Sequence, residues 1–142
     1  MVNIQDEITL PEISEIVSEY ASIPEVRAKL VNLQRKMSEK YDVIMDGRDI
    51  GTVVLKNSKF KFFLTATPEE RARRRFIELV NRGLDVSYDK LLEDIIKRDY
   101  IDSNREVDPL RKADDAIEID SSNYNINEVT EIICNFIENA LQ

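Results

Sequence analysis

Histidine does not occur anywhere in these 142 residues. That one absence removes His-based general acid/base pairs, Ser-His triads and nearly all zinc sites. Cysteine occurs once, as Cys134 in the apolar run IICNFI, so no internal disulfide can form. The residue reads as a buried, inert thiol, and a cytoplasmic setting is the expectation. No apolar run approaches the ~18 residues that a membrane span requires, and nothing resembles a signal peptide. No internal repeat, low-complexity tract or flexible linker interrupts the chain. Glycine is scarce, with only Gly47, Gly51 and Gly83. A positive surface is also lacking: the formal charge of −8 argues against general nucleic-acid binding.

What remains is one domain's worth of chain, 42% hydrophobic and 34% charged, ordinary for a folded soluble domain. Within the acidic total the arginines (11) outnumber the lysines (9), and they cluster. Arginine suits bidentate binding of phosphates and carboxylates, and a histidine-free, arginine-clustered chain suits phosphoryl transfer, which depends on positioning and electrostatics.

The central stretch is Tyr41 to Leu55, YDVIMDGRDIGTVVL. Val43, Ile44 and Met45 predict a short strand buried on both faces. Asp46, Gly47, Arg48 and Asp49 follow at its carboxyl end, where open α/β sheets bind ligands. The same tetrad also reads as a surface turn with Arg48 paired to a neighbouring aspartate.

Upstream, Pro11 opens a helix with Ile13, Ile16, Val17 and Tyr20 on one face. Ser22, Pro24 and Glu25 signal a second start, continued by Val26, Leu30, Leu33 and Met37. Arg27 lies in its first turn, where a positive charge opposes the helix dipole and hints at a ligand. Downstream, Lys59 to Thr67 predicts a second strand. Thr67 and Pro68 start a helix that carries Arg71, Arg73, Arg74 and Arg75 and stops at Gly83. This helix reads equally as a solvated face with pairs Glu70–Arg74 and Arg74–Glu78. Ser87 caps a helix from Tyr88 to about Asn104. Arg98, Asp102 and Arg105 share one stripe there, either a phosphate-and-hydroxyl binding strip or a surface salt-bridge ladder. Ala116 to Asp120 predicts a third strand, and Asn125 to Glu128 caps a last helix with Val129, Ile132, Ile133, Phe136 and Ile137 inward. Strands alternating with helices predict a parallel, doubly wound α/β sheet.

Four of these pieces resemble the bacterial cytidylate (CMP/dCMP) kinase family: SxxAxxPxVR (Ser18 to Arg27), DGRDIGTVV (Asp46 to Val54), the ERARRR helix, and RDxxDxNRxxxPL (Arg98 to Leu110). Their order and separations match nearly end to end. The resemblance implies a three-layer parallel sheet of the P-loop nucleoside monophosphate kinase type. It implies ATP-dependent phosphorylation of CMP or dCMP with magnesium. Ser18, Arg27 and Asp49 match the residues that address the base, Arg98 and Asp102 the sugar-binding pair, and Arg48 and Arg105 arginines that hold phosphates. Arg74 matches an arginine of the mobile lid, and Asp46 an aspartate near magnesium, acting through water. Arg48, Arg74 and Arg105 are thus the expected catalytic group.

The family begins with a strand and a glycine-rich G-x-x-x-x-G-K-[ST] loop that cradles ATP phosphates. No such motif occurs here, and no glycine precedes Gly47. The chain therefore resembles the C-terminal portion of a cytidylate kinase. Residues 1–40 correspond to the end of the monophosphate-binding insert and the following helix, and 41–142 to the core, with lid helices about 68–105. A slot in the sheet, self-association or aggregation, and no activity of the chain alone are the expectations. The alternatives are a non-catalytic fragment or binding subunit that needs a P-loop partner, and another small-molecule kinase of the same fold.

Overall fold

The computed structural model describes residue 8 and residues 10–142, except for a few side chains near the start of the first helix. Helices α1 (Pro11–Ser22) and α2 (Pro24–Lys40) lead to a π-helical turn at Ile50–Val54. Strand β1 (Phe62–Thr65), helices α3 (Pro68–Asn81) and α4 (Tyr88–Asn104), strand β2 (Ile117–Asp120) and helix α5 (Ile126–Leu141) follow. The chain is α/β, and β1 and β2 pair in parallel from Phe62 opposite Ile117 to Thr65 opposite Asp120.

Most boundaries follow from local chemistry. Thr67 accepts a hydrogen bond from the Glu70 amide at 3.2 Å, with Pro68 in the first turn of α3. Gly83, at φ 78°, ends that helix in the left-handed conformation that glycine tolerates best, and its amide returns to the Val80 carbonyl at 2.9 Å. Ser87 caps α4. Asn125 and Glu128 form a reciprocal capping box on α5. The start of α2 differs from expectation: Ser22 is the last residue of α1, its hydroxyl donates to the Glu19 carbonyl at 2.6 Å, and Ile23 takes the cap position.

The largest correction concerns Val43–Met45. Residues 42–46 form no strand, and the Ile44 side chain is fully exposed. A strand exists through its hydrogen-bonding neighbours, and among the described residues no strand lies beside this run, so the sheet has two strands instead of three. A second correction concerns Cys134, which is exposed. On α5, Val129, Ile132, Ile133 and Ile137 are half-buried and Phe136 is exposed, although its ring lies 6.4 Å from that of Phe62. The apolar faces of α1 and α2, including Tyr20, Leu30, Leu33 and Met37, are open.

The core is centred where α3 packs on α4, with Leu79 and Ala72 fully buried and Leu91 beside them. A bidentate pair from Arg71 to Asp99 (3.0 and 2.5 Å) joins the same two helices. Among the described residues no helix is long and apolar enough to cross a membrane.

On the outer face of α3, Glu70 accepts from both Arg73 (2.7 Å) and Arg74 (2.8 Å). The Arg73 hydrogen bond leads in holding its carboxyl at about 2, below the ordinary 4.5. A depressed folded-state value stabilises the fold above the unfolded pKa, and that contribution is lost as pH falls through about 2. Carbon-13 NMR of the Glu70 carboxyl should give a midpoint near 2; an ordinary midpoint would mean that the two arginines do not hold it in solution.

Candidate active site

The site is assembled by three segments: the first turn of α2, the loop entering the π turn, and the end of α4 with the loop beyond it. Arg27 sits where the amino end of α2 should disfavour it, yet it is buried, at 6% exposure. It donates through Nη2 to Asp49, through Nε and Nη2 to Asp108 (3.2 Å each), and through Nη1 to the Ala21 carbonyl (3.3 Å). Two carboxylates and a carbonyl offset the unfavourable helix dipole.

Asp49 is the residue from which the π turn starts. Its carbonyl accepts from the Val53 and Val54 amides at 2.8 and 3.3 Å. At the other end of the turn, Arg35 of α2 donates to the carbonyls of Val53 (2.5 Å) and Val54 (3.3 Å). The turn that presents Arg48 and Asp49 is therefore tied to the helix that carries Arg27.

Asp102, at 2% exposure, is the hub of the third segment. Its Oδ2 accepts from Arg48 Nε at 2.8 Å and lies 3.7 Å from Arg98 Nε, and its Oδ1 lies 3.8 Å from Arg105 Nη1. Arg105 Nη2 is 3.9 Å from Asp49, and Arg105 Nε donates to the Asp108 carbonyl at 2.7 Å. Arg98, Asp102 and Arg105 thus share one stripe as their spacing predicts, and they converge on a buried carboxylate, unlike a solvated ladder.

Arg27, Arg48, Asp49, Arg98, Asp102 and Arg105 face one cleft of about 200 Å³, completed by apolar side chains of α1 and α2 such as Leu30 and Val31. Two donors in it are left over. Arg98 Nε and Arg105 Nη2 are buried without a hydrogen-bond partner, a condition that native structures rarely leave unanswered. Burial, followed by the neighbouring Arg48, pushes the Arg98 guanidinium below its ordinary pKa; burial and then Arg27 do the same at Arg105. Four guanidinium groups here face only three carboxylates, so the cleft has an excess positive charge and unsatisfied donors. This is the electrostatic form of a site for an anion.

The family model for cytidylate kinase matches residues 2–139. The chain belongs to the cytidylate kinase family. It is 66% identical over 136 residues to the cytidylate kinase of Clostridium perfringens, covering 96% of this chain and 63% of that protein. It is 60% identical over 139 residues to that of Clostridium acetobutylicum, covering 98% and 64%. For that of Clostridium tetani the identity is 56%, covering 98% and 62%. The chain therefore spans a little under two thirds of the length of these relatives. The family is one of phosphotransferases with the P-loop nucleoside monophosphate kinase fold.

Within that frame the expected site residues separate into two groups. Six of them meet in the cleft. Arg74 does not: it donates to Glu70, to Ser121 Oγ at 3.2 Å, and to the carbonyls of Ser121 (2.5 Å) and Tyr124 (3.2 Å) beyond β2. Asp46 is exposed, before the site turn. The Ser18 side chain lies outside the described residues. Among the described residues no three acidic or sulfur side chains gather as a metal site. A lone carboxylate fits magnesium only where phosphates and water supply the other ligands.

Two ion-pairing residues escaped sequence reasoning, the first of them outside the cleft. Lys61 is buried at the start of the sheet, with Nζ donating to Asp115 at 2.6 and 2.8 Å. Asp108, between Arg27 and Arg105, adopts φ 49° immediately before Pro109. A residue preceding proline favours extended backbone, so this conformation costs on the order of 1–3 kcal/mol. The available signal was its chemistry, since aspartate enters the left-handed region more readily than most residues.

Proposed function

We propose that the cleft is the acceptor site of an ATP-dependent CMP/dCMP kinase, which yields the corresponding diphosphate. The observation that carries this reading is the pair of buried, unpartnered donors, Arg98 Nε and Arg105 Nη2, in a cleft that also holds a guanidinium–carboxylate pair. Arg105 and Arg48 take the phosphate, and Arg98 and Asp102 the sugar. Arg27 and Asp49, with Ser18, read the base. The cytosine exocyclic amine donates while its O2 and N3 accept, so Asp49 suits the amine and Arg27 a ring acceptor. Uracil presents a carbonyl where cytosine has the amine, and a carboxylate repels it.

No group here serves as an essential base. The residues act by orienting the acceptor and by balancing charge, as an in-line transfer requires. Magnesium, when bound with the nucleoside triphosphate, offsets phosphate charge, and Asp46 would hold it through water. Arg74 is assigned to the lid over the triphosphate; its hold on the loop after β2 fits a residue that ties the lid helix to the sheet. A cytoplasmic setting suits these substrates.

The test is isothermal titration with CMP, dCMP and UMP. CMP should bind more tightly than UMP, and Asp49→Asn should cost CMP about 1–3 kcal/mol while UMP loses less or gains. An equal loss for both nucleotides would mean that Asp49 only supports the loop. A second reading, an acceptor-binding subunit served by a separate P-loop chain, draws on the lack of G-x-x-x-x-G-K-[ST] in these 142 residues.

A further inference from the structure

We infer that Asp108 is a positioning residue that reserves Arg27 for the base by filling the edge of its guanidinium that would otherwise take a phosphate. The inference rests on the reading of the cleft as a nucleoside monophosphate site. A guanidinium binds phosphates and carboxylates through two parallel N–H groups on one edge. On Arg27 the Nε and Nη2 groups form such an edge. Asp108 Oδ2 receives both, at 3.2 Å each, while Asp49 takes the second Nη2 hydrogen. With Nη1 donating to Ala21, one N–H of the five remains for a ligand. That is enough for a single ring acceptor and too little for a bidentate phosphate.

Arg105 contrasts with it. Its Nε is held by the Asp108 carbonyl, but its Nη2 has no partner, and its Nη1 approaches Asp102 only to 3.8 Å. One residue therefore acts on both ends of the cleft: its side chain closes Arg27 to phosphate, and its backbone orients Arg105 with open donors. The left-handed backbone at φ 49° places both groups of Asp108 against the two arginines. Without its carboxylate the cleft would offer a phosphate two competing arginine stations, and a nucleotide could enter in either direction.

Asp108→Asn and Asp108→Gly both tolerate positive φ, and both remove the charge. Titrations use inorganic phosphate, cytidine, CMP and UMP, with the thermal midpoint recorded for each chain. Phosphate should bind about fivefold more tightly to both variants, since Asp108→Gly empties the guanidinium edge and Asp108→Asn leaves on it only a neutral amide oxygen, which a phosphate dianion displaces. Cytidine should bind no more tightly, and the preference for CMP over UMP should shrink. A merely structural Asp108 predicts the opposite: uniform weakening of all four ligands together with a lower midpoint. That result overturns the inference, as does a variant that fails to fold or an affinity gain confined to Asp108→Gly, which would trace it to backbone freedom. The phosphate result does not depend on base recognition. If the unaltered chain fails to distinguish CMP from UMP, the nucleotide reading fails while tighter phosphate binding still upholds the role of Asp108 on Arg27.

Discussion

Mixed with CMP, ATP and magnesium in a coupled assay for ADP, the 142-residue chain is expected to show no turnover above background. On the proposed function the cleft would orient an acceptor, but transfer also requires the γ-phosphoryl to be held in line with it. In this fold that task belongs to backbone amides and a lysine of a glycine-rich loop, and no G-x-x-x-x-G-K-[ST] stretch occurs in the sequence. The remaining arginines do not substitute for it. Arg71 is committed to Asp99, Arg73 to Glu70, Arg75 to Glu78, and Arg74 to Glu70 and the loop after β2. They can attract a triphosphate without fixing its reacting end. Orientation of this kind is worth up to roughly 7–11 kcal/mol, so losing it abolishes turnover instead of reducing it. Supplying a P-loop segment from a clostridial relative as a separate chain should restore ADP release. Turnover by the 142 residues alone would overturn the assignment of these arginines, and it would point to a phosphate cradle built from other groups.

The elements whose ends are set by local chemistry were legible in the sequence. Thr67, Gly83, Ser87 and the Asn125–Glu128 box act on backbone groups one turn away, so spacing suffices to find them. Val43–Met45 was not legible in the same way. Its apolar pattern describes a preference for burial, whereas strand formation depends on a neighbour that no local pattern encodes. The stripe Arg98–Asp102–Arg105 was readable from helical periodicity, but its depth was not, because Asp102 is buried by Arg48 from 54 residues away. Asp108 was invisible for a similar reason: its partner Arg27 lies 81 residues distant, and its backbone departs from what a following proline favours. Arg74 combines the two cases. A motif match places it among the lid residues, and helical spacing gives its pair with Glu70, but its hold on Ser121 and Tyr124, about 50 residues on, is a long-range contact that spacing does not encode.

Removing the Asp102 carboxylate is expected to have the largest effect on stability of any single change in the cleft. Asp102→Ala leaves Arg48, Arg98 and Arg105 around a buried vacancy with no central anion, and breaking a buried ion pair from one side costs about 3–5 kcal/mol. Screening places this case at the lower end. The side chains of Arg48 and Arg98 are 39% and 36% exposed and can turn toward water, whereas Arg105, at 5%, cannot. A loss of about 3 kcal/mol corresponds to a fall of roughly 10 °C in the melting midpoint for a chain of this size. Asp102→Asn keeps the volume and one acceptor for Arg48 while removing the charge, so its cost should be smaller. The difference between the two variants separates packing and hydrogen bonding from electrostatics. Added phosphate provides the decisive measurement. If the three guanidinium groups form an anion site, a dianion should raise the midpoint of Asp102→Ala by more than it raises that of the unaltered chain, because it replaces the missing charge as well as filling the cleft. An unchanged midpoint in Asp102→Ala, or no added response to phosphate, would mean that these arginines are solvated independently and that Asp102 does not organise the site.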